Sequence, residues 1–224
     1  MQTRGEIALV DELQRELSSC AARDGMPLVL NLGASTSVSI ENQLRNAGFE
    51  PTCDRVDIED PSVEHPMTGR WWRTSAHQMH DVPTSCYSAV FANYVFEHVA
   101  HLDEAVDEVH RVLKPNGVVV LSVPNPSAPE FRLAAITPMW FHSLIRGKRA
   151  WPLEYAFSNP QQLIQIFERH GFSTISVHCF AHTNTYLHRF SGIGAVSKRY
   201  DEMIDRRRWI RLMGDTCIAF RKTA

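Results

Sequence analysis

Gly33 and Asn93 directly follow short apolar runs that are typical of buried strands, and Asp57 lies at the end of a third predicted strand. The three predicted strands cover 28–32, 52–58 and 87–92. Open α/β sheets bind ligands in the crevice outside the carboxyl ends of their strands, so these residues are expected to meet at one edge of a sheet. A carboxylate such as Asp57 suits a binding role there, because it accepts two hydrogen bonds at once.

Strands and helices alternate along most of the chain, and this predicts a mostly parallel sheet covered on both faces. Apolar residues at helical spacing predict a first helix over 6–20. Ser35, Thr36 and Ser37 are expected to cap the second helix, which would run to position 47. Beyond these, the predicted elements are a helix over 102–114, a strand over 118–123, a helix over 159–170, a strand over 174–180, a basic helix over 198–211 and a strand over 216–220.

The composition fits a folded α/β protein. Of the 224 residues, 44% are hydrophobic and 21% are charged, which is enough to bury a core and excludes disorder as the main state. No apolar run approaches the ~18 residues that a membrane span needs. The N-terminus lacks the pattern of a secretory signal. Five scattered cysteines without a C-x-x-C pair favour reduced thiols and a cytoplasmic location.

The formal net charge of −2 conceals two parts of opposite sign. Through position 112 the chain has 8 Lys and Arg against 18 Asp and Glu, whereas the remainder has 15 against 7. An acidic front part and a basic back part predict two ligands of different charge.

The middle of the chain carries a set of segments in a recognisable order and spacing. They are YSAV at 87–90, VFEHV at 95–99, EVHRVLKPNG at 108–117 and SVPN at 122–125. Together they resemble the central signature of the class I S-adenosylmethionine-dependent methyltransferases, in the broad small-molecule group known as type 11. The resemblance extends more weakly over 28–171. It implies a doubly wound, mostly parallel, seven-stranded Rossmann-like sheet with a cap inserted after the fifth strand.

The resemblance also implies a single domain over 1–224. Its expected parts are an N-terminal helix over 1–25, a cofactor-binding core over 26–125, a cap or substrate insertion over 126–158, and the C-terminal part of the sheet with a basic tail over 159–224. S-adenosylmethionine is the implied cofactor.

The implied cofactor loop departs from the family pattern. The family has D/E-x-G-x-G-x-G after the first strand, whereas this chain has NLGASTS at 31–37. Asn31 can accept a hydrogen bond from the cofactor's ammonium group, but it lacks the charge that makes such a bond about twice as strong. Gly33 is kept, and Ala34 follows it. Ser35 places a side chain where the backbone should be bare, and a left-handed conformation there would cost about 1–2 kcal/mol.

Further contacts to the cofactor are implied by position. Asp57 matches the acid that binds both ribose hydroxyls, and Asp54 is a nearby competitor for this role. The pair Ser75 and Ala76 falls where the family contacts the adenine. Two more residues complete the implied set: Asn93, at the carboxyl end of the fourth strand, and His98, which either lies near the cofactor or caps the next element.

The acceptor is expected to lie beside the cap. The segment 139–151 mixes aromatic and basic residues, so it could close a pocket or touch a membrane surface or an anionic lipid-linked substrate. If the acceptor is a hydroxyl, a general base would help, and the candidates by position are His142, Tyr155 and His182. The basic back part favours an anionic small-molecule acceptor.

The predicted function is methyl transfer to an oxygen or nitrogen atom of a small molecule. The alternative is a degenerate methyltransferase fold that serves as a non-catalytic binding or scaffold subunit. No metal site is expected, because the histidine pairs lack a third ligand. Nucleic-acid methylation is disfavoured, since NYVF at 93–96 replaces the (D/N)-P-P-(Y/F) that such enzymes often carry. The sequence gives no indication of the oligomeric state.

Overall fold

A seven-stranded sheet forms the centre of the computed structural model, which describes residues 2–60, 63–136, 155–188 and 192–223. The strands are β1 (Leu28–Leu32), β2 (Thr52–Asp57), β3 (Thr68–Arg73), β4 (Tyr87–Asn93), β5 (Leu113–Pro124), β6 (Phe172–Phe180) and β7 (Asp215–Lys222). Their order across the sheet is β3-β2-β1-β4-β5-β7-β6. Strand β7 runs antiparallel to β5 and β6, and the other neighbours are parallel. The predicted α/β, mostly parallel architecture is confirmed.

Helices cover both faces of this sheet. They are α1 (Arg4–Asp24), α2 (Ser39–Asn46), α3 (Leu102–Val112), α4 (Pro129–Ile136), α5 (Pro160–Arg169), α6 (Thr183–Leu187) and α7 (Ile193–Arg207), with short 3-10 helices at Phe96–His98 and Ile210–Leu212. Side chains cap two of the helices. The Glu6 N–H donates to Thr3 Oγ1 at the start of α1, and the Gln162 N–H donates to Asn159 Oδ1 at the start of α5.

Alternate residues of each central strand pack on opposite faces, because successive strand side chains point to opposite sides. Leu30 and Val119 face the layer formed by α3 and α5, where Phe167 is buried. Val29 and Val120 face the layer formed by α1 and α2. With both faces covered, the central strands consist of apolar runs, and this explains why the sequence pattern found them.

The second helix begins later than predicted. It starts at Ser39, and Val38 at its N-cap makes no side-chain capping bond. Residues 35–37, which were expected to cap it, lie in the connecting loop instead, although Ser37 Oγ still accepts from the Ser39 N–H at 3.4 Å. The N-cap position itself belongs to Val38 rather than to one of the predicted residues. The loop is held by contacts to β2, which local sequence signals do not reveal.

The cap insertion is described only in part. Helix α4 and the residues from Tyr155 lie within the described ranges, whereas His142 and the whole aromatic and basic segment 139–151 lie outside them. The division of the chain into a core, a cap and a C-terminal part stays a prediction. None of the helices within the described ranges combines the length and the apolar character that crossing a membrane requires.

Candidate functional site

The loop after β1 makes a turn that only glycine can make at its first position. Gly33 has φ +65°, and its N–H donates to the Val56 carbonyl at 2.9 Å. The Val95 side chain occupies the space where a Cβ on residue 33 would lie. Glycine is therefore required both by the backbone conformation and by the close approach of Val95.

Ser35 adopts the left-handed conformation that the sequence analysis considered. Its φ is +43°, and its N–H donates to Asp57 Oδ2 at 2.7 Å. A residue with a side chain pays for this conformation, so the bond to Asp57 is formed against a local cost of about 1–2 kcal/mol. The Ala34 N–H also donates to the Val56 carbonyl, at 3.4 Å. Gly33, Ala34 and Ser35 are therefore all bonded to the carboxyl end of β2.

Asp57 is better placed than Asp54 to bind a ligand. Asp57 Oδ1 accepts from the Glu59 N–H at 3.0 Å, so each of its oxygens has one backbone donor and can accept a second bond. Asp54 lies within the strand, where its two oxygens accept from the Arg70 N–H at 2.7 Å and the Tyr87 hydroxyl at 2.8 Å. Its position inside the sheet gives Asp54 a structural role.

Two charged residues that the sequence analysis missed lie buried beneath the loop. Arg55 and Glu41 are 0% and 1% exposed, and Arg55 Nη2 lies 2.7 Å from Glu41 Oε1. Asn31 Nδ2 donates to the same carboxylate oxygen at 2.8 Å. The available signal was Arg55 itself, the one basic residue of the second predicted strand.

The other predicted cofactor contacts line the same edge of the sheet. The Thr74 N–H donates to the Asp57 carbonyl at 2.9 Å, and this holds the loop with Ser75 and Ala76 next to the end of β2. Ser75 Oγ and Asn93 Oδ1 are buried and have no hydrogen-bond partner in the described part of the chain. Buried polar atoms normally have partners, so both are available to a ligand or to water. His98 ends the first 3-10 helix and is exposed.

A second polar cluster lies at the carboxyl ends of β4 and β5, around Asp215. The Tyr94 hydroxyl donates to Asp215 Oδ1 at 2.6 Å and lies 2.7 Å from Thr3 Oγ1. The Gly5 N–H donates to Asp215 Oδ2 at 2.6 Å. Burial and the neighbouring Asp215 charge raise the pKa of Tyr94, so the hydroxyl keeps its proton. These bonds attach the start of α1 to the edge of the sheet.

One of the three candidate bases, His182, lies at this cluster, and Tyr155 is linked to it through Phe131. His182 is 7% exposed, and its Nδ1 lies 3.8 Å from Asp215 Oδ2. The ring of Phe131 is nearly parallel to that of His182, with 6.4 Å between centroids, and makes an edge contact with Tyr155 at 6.1 Å. His142 lies outside the described residues. Phe131 therefore joins His182 and Tyr155 on one wall.

Two buried carboxyl groups near this wall were not selected as site residues, although one lies in the VFEHV segment. Burial, reinforced by the charge of Asp215, raises the pKa of Glu97 to about 8. Burial also raises the pKa of Glu130 to about 7, with a contribution from Asp201. Neither Glu97 Oε2 nor the Glu130 oxygens have a hydrogen-bond partner among the described residues. Both groups are held in an environment that favours the protonated form.

Histidines elsewhere make local contacts. His178 Nε2 lies 2.7 Å from Glu12 Oε1, and the rings of His77 and His101 lie 4.7 Å apart. Within the part of the chain that the structure describes, no three His, Cys, Asp or Glu side chains are grouped so that they could hold a metal ion.

We expect Ser35→Gly to raise the free energy of unfolding by about 1 kcal/mol, because glycine adopts a positive φ without the cost that Ser35 carries. Urea unfolding measures the change. The matched control is Ser37→Gly in the same loop, which adds chain entropy at a position without positive φ and should lower stability. An equal gain from both variants would contradict the explanation.

The buried Glu97 carboxyl predicts a pH-dependent stability. Its folded pKa lies above its unfolded value, so its contribution is complete below the unfolded pKa and is lost as pH rises toward 8. Raising the pH from 5 to 7.5 should therefore lower the free energy of unfolding of the wild type by roughly 3 kcal/mol more than that of Glu97→Gln. Urea unfolding at several pH values tests this. The exposed Glu202, changed to Gln, serves as the control and should follow the wild type.

Comparison with known proteins gives one family match. A family model described as "Methyltransferase domain" matches residues 15–177. The mouse protein "Ubiquinone biosynthesis O-methyltransferase, mitochondrial" is 28% identical over 137 residues, which are 58% of this chain and 36% of that protein. The rat protein of the same name is 24% identical over 137 residues. The match thus spans little more than a third of the length of these curated relatives.

Solved structures share the fold at low identity. A SAM-dependent methyltransferase from Archaeoglobus fulgidus is 20% identical with a TM-score of 0.59, covering 97% of this chain and 94% of that one. The cyclopropane synthase MmaA2 from Mycobacterium tuberculosis is 13% identical with a TM-score of 0.57, covering 96% and 84%. Phosphoethanolamine N-methyltransferase 2 from Haemonchus contortus, in complex with S-adenosyl-L-methionine, is 13% identical with a TM-score of 0.53, covering 94% and 53%.

The family model covers more than half of the chain and includes the loop after β1 and the ends of β2 and β4, whereas His182 and Asp215 lie beyond the matched residues. The sheet order with its antiparallel β7 agrees with the fold that the resemblance implied. The chain belongs to the class I S-adenosylmethionine-dependent methyltransferases, and S-adenosylmethionine is its cofactor.

Proposed function

We propose that this protein transfers the methyl group of S-adenosylmethionine to a hydroxyl oxygen of a small-molecule acceptor. The observation that carries the proposal is the placement of buried His182 beside Asp215 at the carboxyl edge of the sheet, with Tyr155 on the same wall. The names of the curated relatives, which are O-methyltransferases, support oxygen as the acceptor atom. When bound, the cofactor supplies an activated methyl group on a sulfonium.

The residues at the first part of the site fit this cofactor. Asp57 has spare capacity on both oxygens and would accept from the ribose hydroxyls. The bare backbone at Gly33 would lie against the methionine part, and Asn31 would accept from its ammonium group. The unpartnered Asn93 Oδ1 and Ser75 Oγ supply further polar contacts on the adenine and ribose side.

The second part of the site supplies acid–base chemistry. His182 would accept the hydroxyl proton as the acceptor oxygen bonds to the methyl carbon and the methyl–sulfur bond breaks, with S-adenosylhomocysteine as the leaving group. General-base assistance of this kind is typically worth 10²–10⁴-fold in rate. Asp215 would orient the ring and stabilise the resulting imidazolium. Tyr94 links the start of α1 to Asp215, through Thr3 on one side and the Asp215 carboxylate on the other. The main contribution of the protein is the alignment of the two reactants.

An anionic acceptor remains part of the proposal. A groove of about 930 Å³ lies beside the ends of β5 and β7 and carries the exposed side chains of Arg132 and Arg211. Its floor is largely apolar, with Pro129, Ile164 and Leu212 among the lining residues. This combination suits an acceptor with an apolar body and a carboxylate or phosphate. Contact of the cap with a membrane surface, and the cytoplasmic location, stay predictions.

A non-catalytic binding subunit is the second candidate function. The observation that favours it is the cofactor loop, where Asn31, Ser35 and Ser37 replace the acid and two glycines of the family pattern. Such a protein would keep the fold and would bind the cofactor poorly.

Calorimetry with S-adenosylmethionine and with S-adenosylhomocysteine separates the two candidates. We expect the wild type to bind both, and Asp57→Ala to weaken binding at least about tenfold, because the ribose hydroxyls lose a charged acceptor. Asp60→Ala is the control, since Asp60 pairs with Arg73 on the surface. A well-folded wild type that binds neither compound would overturn the enzymatic proposal.

Transfer of a labelled methyl group to a panel of acceptors tests the acceptor chemistry. The panel pairs phenols and catechols, with and without a carboxylate or phosphate, with matched amines. We expect the label to appear on the phenols that carry a carboxylate or phosphate. We expect His182→Gln to lower kcat about a hundredfold relative to the wild type. His178→Gln, which changes a half-exposed histidine on β6, should keep the wild-type kcat. If the label appeared only on amines, the acceptor atom would be nitrogen and the proposed O-methylation would be wrong.

A further inference from the structure

Three consecutive residues at the end of β2 hold the cofactor loop. Arg55 Nη2 donates to the Ser37 carbonyl at 2.5 Å, the Val56 carbonyl accepts from the Gly33 N–H, and Asp57 accepts from the Ser35 N–H. The loop is therefore attached to one strand at its beginning, its middle and its end. Two of these contacts depend on charged side chains that are themselves buried, Arg55 and Asp57, and Arg55 is the more deeply buried of the two.

The position of Arg55 depends on Glu41. Arg55 Nε and Nη2 both donate to Glu41 Oε1, at 3.1 and 2.7 Å, and the two side chains are fully enclosed. An ion buried in this way must be neutralised nearby, because its removal from water is costly. Glu41 on α2 supplies that neutralisation, so helix, strand and loop are fixed together.

Glu41 also sets the orientation of Asn31. The Asn31 amide nitrogen donates to Glu41 Oε1, and a carboxylate can only accept, so the nitrogen is fixed on the side of Glu41. The opposite atom, Asn31 Oδ1, has no hydrogen bond in the described part of the structure. Asn31 thus presents an acceptor rather than a donor at the start of the cofactor loop.

We propose that Glu41 and Arg55 are positioning residues for S-adenosylmethionine, with Glu41 providing the buried carboxylate that position 31 lacks. Arg55 holds the end of the loop, and Glu41 keeps both Arg55 and the Asn31 amide in place. The cofactor's ammonium group would be accepted by Asn31 Oδ1 without contacting Glu41. This inference rests on the proposed function, because it concerns the binding of the same cofactor.

An exchange of the carboxylate between positions 31 and 41 tests the proposal. Asn31→Asp alone places a second carboxylate at hydrogen-bond distance from Glu41, and Glu41→Gln alone leaves Arg55 without a counter-charge. We expect each to raise the Kd for S-adenosylmethionine about tenfold or more. The double variant restores one carboxylate and one amide, and should bind at least about fivefold more tightly than either single variant.

Arg55→Lys provides a second measurement if a single variant does not fold. Lysine keeps the charge but lacks the planar fork that reaches Glu41 and the Ser37 carbonyl together. In the methyl-transfer assay, with an acceptor from the panel that becomes labelled, Arg55→Lys should raise the KM for S-adenosylmethionine about fivefold or more. It should leave kcat at saturation within about twofold of the wild type, because the acceptor side is unchanged. Glu108→Gln is the matched control, since Glu108 pairs with Arg111 on α3 away from the loop.

Thermal unfolding of each variant separates a positioning role from a purely structural one. A structural role would lower the melting temperature without changing the Kd of the folded protein. Folded single variants with the wild-type Kd, or a double variant that binds no better than the weaker single variant, would overturn the proposal. A wild type that binds no cofactor would instead contradict the proposed function.

Discussion

The attachment of the cofactor loop to the end of β2 is the constraint on which the binding site depends. Arg55, Val56 and Asp57 each hold a different residue of the loop, and all three belong to one strand of a parallel sheet. The strand in turn is fixed by its register with β1. A buried guanidinium at this point requires a buried carboxylate beside it, which ties the first turns of α2 to the same structure.

A single carboxylate organises the opposite end of the site in a comparable way. Asp215 begins β7 and contacts the start of α1 through Gly5, the end of β4 through Tyr94, and the loop before α6 through His182. Elements that are far apart in the chain therefore meet at one anion. Because β7 is antiparallel, its first residue lies at the same edge as the carboxyl ends of the parallel strands. This topology places His182 and Asp215 together at the edge where the proposed acceptor site lies.

The fold alone does not specify the reaction. Structures that share it at 13–20% identity include a protein named as a cyclopropane synthase and one named as an N-methyltransferase. What distinguishes this chain lies in particular residues, such as Asn31 in place of an acid and the left-handed Ser35. Gly33, Asp57 and Asn93 belong to the acidic front part of the chain, and the exposed arginines of the groove belong to the basic back part. This division is consistent with a cationic cofactor and with the anionic acceptor proposed above.

The sequence by itself determined the alternation of strands and helices, the turn at Gly33 and the position of Asp57 at a strand end. These features are encoded locally, in apolar runs, turn residues and spacing. Only the tertiary structure engaged Asp54 inside the sheet, placed residues 35–37 in a loop before the helix, and paired Glu41 with Arg55 and His182 with Asp215. Each of these depends on contacts between residues that are distant in the chain, and the strength of a buried charge or hydrogen bond is set by neighbours that local patterns do not contain.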